Sequence, residues 1–224
     1  MDVYNPLYKN QGVHLIISIF TVDNGVTKVL LVKRKNEPFK GSWALVGGAL
    51  YNNEDLIDGM RREIFEKTGI KDIDIYFSNI FGKALRSPVM RMVATSFIGV
   101  IDHEKVSILT ETLNTSNADW FPITKIPSLA YDHNEILQDG LEFLKEKIIS
   151  TDILKALFPN GFTLPEIQKT YESILGKTFD RRNFRKKLLS LDLIVDTGKT
   201  KIFEGTKPAK IYKFNENSSI KNVF

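Results

Sequence analysis

The stretch from Gly48 to Ile70, GALYNNEDLIDGMRREIFEKTGI, limits what this chain can fold into more than any other. Glu54 lies six residues after Gly48, and Arg62, Glu63, Glu66 and Gly69 follow. Glu63 and Glu66 are about one turn apart on a helix and share a face. A helix over 54–68 buries Leu56, Met60 and Ile64, with Ile57 beside them. Gly69 stands where a left-handed C-cap glycine belongs. Gly47 and Gly48 read as a Gly-rich turn, free to adopt unusual backbone angles and to let a phosphate approach closely. Two carboxylates on one face beside such a turn can hold Mg²⁺ or Mn²⁺, hard cations that prefer oxygen ligands. The ion would bridge diphosphate oxygens and activate a water. Lys67 stands where a further carboxylate would complete the site. Its ammonium opposes the ion by on the order of several kcal/mol in a partly buried site, so Mg²⁺ binding is expected to be weakened. No other cofactor is expected.

The surroundings read as alternating strands and helices. VHLIISIFTV (13–22) is apolar and β-branched, as a buried strand is. Asp23-Asn24-Gly25 signals a hairpin turn, and TKVLLVKR (27–34) is the returning strand. DIDIYFSNIFG and MRMVATSFIGV are two further strands, and ADWFPI a short one before the loop at Pro127. Residues 132–149 predict a helix with Leu137, Leu141, Leu144 and Ile148 as its stripe and Ile136 and Phe143 at the flanks. A mixed α/β unit is expected to end near residue 150.

Beyond 150 the pattern changes. LKALFP is a short helix candidate. Thr163 followed by Glu166, with Pro165 between, marks the capped start of a helix. GKTF is a tight connector, and Asp180 can cap a third helix, DRRNFRKKLLSL. LIVDTGKTKIFEGTKPAKIYKF alternates apolar and polar residues around a Gly-Lys turn, as a β-ribbon does. Helix, turn, basic helix and basic ribbon make a winged helix-turn-helix. Phe184, Leu188 and Leu191 anchor the basic helix. That turns Arg182, Asn183, Lys186 and Lys187 outward as groove readers, with Arg181 and Arg185 flanking as backbone clamps. Lys199, Lys201, Lys207 and Lys210 belong to the wing.

Charge divides the chain in the same place. Residues 1–150 hold 17 Lys and Arg against 19 Asp and Glu, and residues 151–224 hold 14 against 8. The basic part suits a polyanion such as DNA. There is no cysteine, which rules out disulfides and thiolate metal sites. With no signal peptide at MDVYNPLYKNQ, a cytoplasmic protein is expected. No apolar run is long enough for a membrane helix, so no membrane partner is expected.

The spacing of the Gly48–Ile70 stretch resembles the Nudix box of nucleoside-diphosphate-linked-moiety hydrolases. That pattern is glycine, five residues, glutamate, seven residues, then Arg-Glu-aliphatic-any-Glu-Glu-any-Gly-aliphatic. GSWALVGG resembles the family's lead-in, with Val46 in place of proline. Together with LAYDHNEIL, FTLPEIQKTYESILGKTFDRRNFRKKL and TKPAKIYKF, the chain resembles the NrtR type of Nudix-related transcriptional regulators over about residues 8 to 214. The resemblance implies an α/β Nudix fold, a mixed-sheet α/β/α sandwich over 1–150 that binds an effector, followed by a winged helix DNA-binding domain over 151–224. It implies a homodimer on a palindromic operator in double-stranded DNA. The effector is expected to be ADP-ribose or another NAD-related metabolite, or, as in some members, a sugar.

A Mg²⁺-dependent hydrolase of ADP-ribose or similar diphosphates is the alternative. There Glu63 and Glu66 ligate the metal, Glu54 assists and Arg62 orients a carboxylate, with Lys67 as the departure. A structural reading of the same residues pairs Glu63 with Arg62 to hold the loop, or turns Lys67 outward. Gly47, Gly48 and His133 are the ligand-binding candidates. His133 has two readings, one facing the ligand cleft and one structural at a helix start. His14 reads as structural, and His103 lies in a polar turn.

Overall fold

The computed structural model describes residues 4–7, 9–202 and 207–215. The chain divides into two compact units. The first comprises residues 1–20, 28–99 and 104–140, and the second residues 21–27, 100–103 and 141–224.

The strands are β1 (Gly12–Asp23), β2 (Val26–Arg34), β3 (Trp43–Ala44), β4 (Val46–Ala49), β5 (Ile75–Phe81), β6 (Met92–Val100) and β7 (Thr115–Pro122). They form one seven-stranded sheet in the order β3-β2-β1-β6-β5, with β4 also paired to β1 and β7 to β2. The hairpin between β1 and β2 turns at Asn24 and Gly25, both at positive φ (50° and 77°). That is the requirement of a two-residue turn matching strand twist. Leu15 to Thr21 of β1 are all buried, so the strand is covered on both faces, which is why its apolar run is continuous.

Alternation along β1 shows what covers it. Helices α1 (Leu56–Thr68) and α2 (His133–Ser150) supply the two layers. A Cβ added at Gly59 of α1 would sit 2.8 Å from Leu15, and one at Gly140 of α2 would sit 3.2 Å from Ser18. Residues 15 and 18 point to opposite faces, so the helices lie on opposite sides of the sheet. The stripe of α1 begins one turn later than expected. Gly59, Met60, Glu63, Ile64 and Thr68 are buried, whereas Leu56 and Ile57 in the first turn are 43% and 40% exposed. Ile136, Leu137, Gly140, Leu144 and Ile148 form the buried face of α2, and Leu141 and Phe143 are only half-buried. Ile136 thus belongs to the stripe, and Leu141 stands at its margin. Gly69 ends α1 at φ 77°.

In the second unit a 3₁₀ turn (Ile153–Leu157) precedes α3 (Leu164–Leu175) and α4 (Arg181–Ser190), followed by β8 (Ile194–Lys201) and β9 (Ala209–Phe214). Thr163 and Glu166 form the capping box, and Gly176 ends α3 in the left-handed region. Asp180 accepts from the backbone N–H of Arg182 and Asn183. Ile167, Tyr171, Ile174, Phe184 and Leu188 build the core. The Tyr171 hydroxyl donates to Ile148 O, and burial raises its pKa. Gly198 and Lys199 are not the turn of the ribbon. They lie inside β8 at an irregularity of register between Asp196 and Thr200, with Gly198 at φ 72°. Residues 203–206, between the two strands, lie outside the described residues.

A carboxylate helix with its charges already paired

Gly47 and Gly48 are strand residues, not a turn. Both lie in β4, paired with β1 in the register Ile16 to Gly47 and Leu15 to Gly48, and neither has positive φ. Glycine is required here by crowding. A Cβ at Gly47 would lie 2.1 Å from Leu15 O, and one at Gly48 would lie 2.2 Å from Glu63 Oε1. Gly48 therefore seats the carboxylate of Glu63 directly against the sheet.

Arg62 organises the acidic residues. Its Nε and Nη2 donate to Glu54, the latter at 3.0 Å, and Nη2 also donates to Ala49 O at 3.0 Å. Nη1 donates to Glu63 Oε1 at 2.6 Å and to Glu66 Oε2 at 3.4 Å. All five guanidinium N–H groups are thereby engaged. The Tyr51 ring stacks 3.8 Å from the guanidinium carbon. The Arg62 hydrogen bond holds the Glu54 carboxyl below the usual carboxylate range, and Glu54 in turn raises the Arg62 pKa.

Lys67 does not point outward. Its side chain is 14% exposed, its Nζ donates to Gly47 O, and it lies 2.8 Å from Glu63 Oε2. The two oxygens of Glu63 are thus divided between Arg62 and Lys67. The Mg²⁺ implied by the sequence motif does not fit this arrangement. Glu54 and Glu63 are both occupied by cations, and Glu66, with a side chain 42% exposed, is alone in facing solvent. Mg²⁺ demands a near-octahedral oxygen shell from ligands free to turn toward it. Among the described residues there is no group of three or more His, Asp or Glu side chains able to hold a metal ion. Glu63 and Glu66, expected as metal ligands, both face Arg62 Nη1 instead.

Beside Lys67 lies a cavity of about 150 Å³ whose wall includes Arg34, Gly47, Lys67, His14 and His133. The wall contains two cations and no carboxylate. His133 is 2% exposed, and its Nδ1 accepts from the Leu45 N–H at 3.0 Å. Burial, with His14, Arg86, Arg34 and Lys67 nearby, lowers its pKa well below the ordinary value, so the ring is neutral. A neutral imidazole that accepts at Nδ1 carries its proton on Nε2. That Nε2 is buried and has no partner. His133 thus has a structural role at the start of α2 through Nδ1, and its ring lines the cavity. His14 is likewise held neutral, its pKa pulled down to about 3 by burial and then by Arg86, Lys67 and Arg34.

Several residues near the two histidines escaped sequence reasoning. Arg34 donates to Pro38 O and lies 5.1 Å from the Tyr131 ring. Tyr131, at φ 54°, stacks on His133 and meets the ring of Phe39, itself at φ 65°, at a tilt of 59°. Arg86 and Asp132 pair immediately before α2. LAYDHNEIL carried part of this signal, but nothing local marked Arg34 or Arg86. On the far side of His14, a second cavity of about 200 Å³ is lined by Val89, Met90, Met92 and Tyr131.

In the second unit, Arg181, Arg182, Asn183, Arg185, Lys186 and Lys187 are all exposed on α4, around the buried Phe184 and Leu188. Lys199 and Lys201 are exposed on β8. Lys201 pairs with Glu166 at 2.8 Å, and Lys210 with Asp196 at 2.7 Å. The wing is therefore less cationic than its lysine count suggests, and the exposed positive charge concentrates on α4.

Residues 12–140 match the NUDIX domain model, and residues 155–214 match that of the NrtR DNA-binding winged helix domain. The chain is 31% identical over 202 residues to the "ADPR responsive transcriptional repressor NtrR" of Acinetobacter baylyi, covering 88% of this chain and 80% of that protein. It resembles the crystal structure of Shewanella oneidensis NrtR complexed with a 27mer DNA at 27% identity and a TM-score of 0.76, over 92% of this chain and 95% of that one. The NUDIX domain of the same Shewanella protein, in its cocrystal structure with ADP ribose, aligns at 27% identity and a TM-score of 0.56, over 63% of this chain and 94% of that one.

Proposed function

The chain belongs to the family that joins a NUDIX domain to an NrtR DNA-binding winged helix, and on that premise we propose that it is a DNA-binding transcriptional regulator responsive to ADP-ribose or a closely related diphosphate metabolite. The observation that carries the effector half is the cavity beside Lys67. Arg34, Lys67 and His133 line it without a carboxylate in the wall, an environment that favours an anion. The relatives support the same ligand: one is named as ADPR-responsive, and another is seen with ADP ribose. The exposed basic face of α4 carries the DNA half, with Arg182, Asn183, Lys186 and Lys187 toward the groove and Arg181 and Arg185 toward phosphates.

The winged helix domain is taken as 151–224 and the effector domain as 1–150. A homodimer on a two-fold symmetric operator suits such a domain. Effector binding would change operator affinity by linkage, and operator binding would change effector affinity by the same factor. A gel shift of the chain against the DNA upstream of its own coding sequence, with and without ADP-ribose, tests the reading. A sequence-specific shift altered by ADP-ribose is expected. Absence of any specific shift at modest salt would remove the DNA half, and a shift indifferent to ADP-ribose would remove the effector half.

A further inference from the structure

Lys67 occupies an unusual position for an ammonium. It lies 2.8 Å from one oxygen of the buried Glu63, donates to Gly47 O, and lines the cavity with Arg34 and His133. We propose that this ammonium takes the place of a divalent cation, so that the chain holds a diphosphate with its own tethered charge and takes up no metal at α1. The inference rests on the effector reading above and adds how the anion is held.

Three observations carry it. First, charge: Glu54, Glu63 and Glu66 face Arg62 and Lys67, leaving one net negative charge where a glutamate at 67 would leave three. A Mg²⁺ ion would meet two resident cations and little unneutralised carboxylate. Second, valence: an ammonium has three protons; Gly47 O accepts one, and Glu63 Oε2 faces the charge at 2.8 Å without accepting a hydrogen bond. Donor capacity therefore remains on a side chain in the cavity wall. Third, company: His133 lines the same wall, and its Nε2 is buried with no partner. A neutral ring with its proton at Nε2 could not contribute that nitrogen to a metal without first losing the proton.

The full chain tests this in two arms. In the first, Mn²⁺ is titrated and followed by electron paramagnetic resonance. The wild-type chain is expected to leave the free-ion signal undiminished, and Lys67→Glu to reduce it. Mn²⁺ uptake by the wild type that Glu63→Gln abolishes would overturn the inference. In the second, calorimetry compares ADP-ribose and inorganic pyrophosphate in EDTA and in Mg²⁺. Wild-type affinity is expected to agree within about twofold between the buffers, and Lys67→Gln to lose about tenfold in EDTA. Wild-type binding that requires Mg²⁺ would overturn the inference while leaving the effector reading intact. If ADP-ribose binds in neither buffer while pyrophosphate binds in EDTA and weakens in Lys67→Gln, the effector reading falls and the inference stands. If neither ligand binds in EDTA, the inference falls. Should Lys67→Glu fail to fold, the wild-type and Lys67→Gln measurements decide alone.

Discussion

Arg86 and Asp132, 46 residues apart, form a two-point ion pair at 2.7 and 2.8 Å in which the arginine side chain is 1% exposed. Asp132 O also accepts from the N–H groups of Glu135 and Ile136 in the first turn of α2. The pair therefore fixes the entry to the helix that carries His133. Asp132→Asn leaves a guanidinium buried without its charge partner, and is expected to destabilise the chain by about 3–5 kcal/mol. Urea unfolding measures it. A loss under about 1 kcal/mol would place the pair among those of ordinary surface strength.

Gly48 gives a sharper test of the site itself. A methyl group there would lie 2.2 Å from Glu63 Oε1, so Gly48→Ala must push the carboxylate off Arg62 and Lys67. A stability loss of about 1–3 kcal/mol is expected from the overpacking. Affinity for ADP-ribose, measured by calorimetry, should fall with it, because Lys67 loses its anchor. Unchanged affinity in a folded variant would show that Lys67 is not held for the ligand by Glu63.

The two histidines predict a pH dependence with a definite sign. Both are held neutral in the fold, with pKa values below the ordinary 6.5. The unfolded chain binds protons first as pH falls, so their contribution is complete above about 6.5 and is lost below it. For His14 the loss continues down to its folded value of about 3. Each proton contributes a slope of about 1.4 kcal/mol per pH unit where only the unfolded state is protonated. Urea midpoints between pH 7 and 5.5, above most carboxylate titration, measure it, and His14→Gln should reduce the slope. A flat profile in the wild type would contradict the buried neutral assignment.

On α4, two kinds of substitution should behave differently. Arg182→Ala is expected to cost about 1–3 kcal/mol on the preferred operator and little on unrelated DNA, relaxing specificity. Arg181→Ala is expected to weaken binding to all sequences and to reduce the salt slope by about 1. Fluorescence anisotropy on specific and scrambled duplexes over a salt series separates them. Equal losses on both duplexes for Arg182→Ala would move it to the phosphate class.

Features legible in the sequence were those whose cause is local. The positive φ at Gly25 and Gly69, the Thr163–Glu166 box and the Asp180 cap each depend on neighbours within about one helical turn. Features that the sequence leaves open depend on partners far along the chain. The direction of Lys67 is set by Gly47 O, 20 residues away, and the tautomer of His133 by the Leu45 N–H, 88 residues away. Gly47 and Gly48 read as a turn but lie in a strand, because a glycine needed for crowding looks the same in sequence as one needed for φ. Leu56 and Ile57 fitted the periodicity of α1, yet the first turn of the helix lies outside the buried stripe.

The Arg62 clamp has a consequence for descent. Arg62 holds Glu54, Glu63 and Glu66 through contacts that do not involve position 67, since the guanidinium spends all its donors on them and on Ala49 O. Lysine and glutamate codons differ at a single base. A lineage can therefore exchange the tethered cation for a carboxylate, or the reverse, in one mutational step, and the Arg62 contacts, none of which involves position 67, are available in either setting.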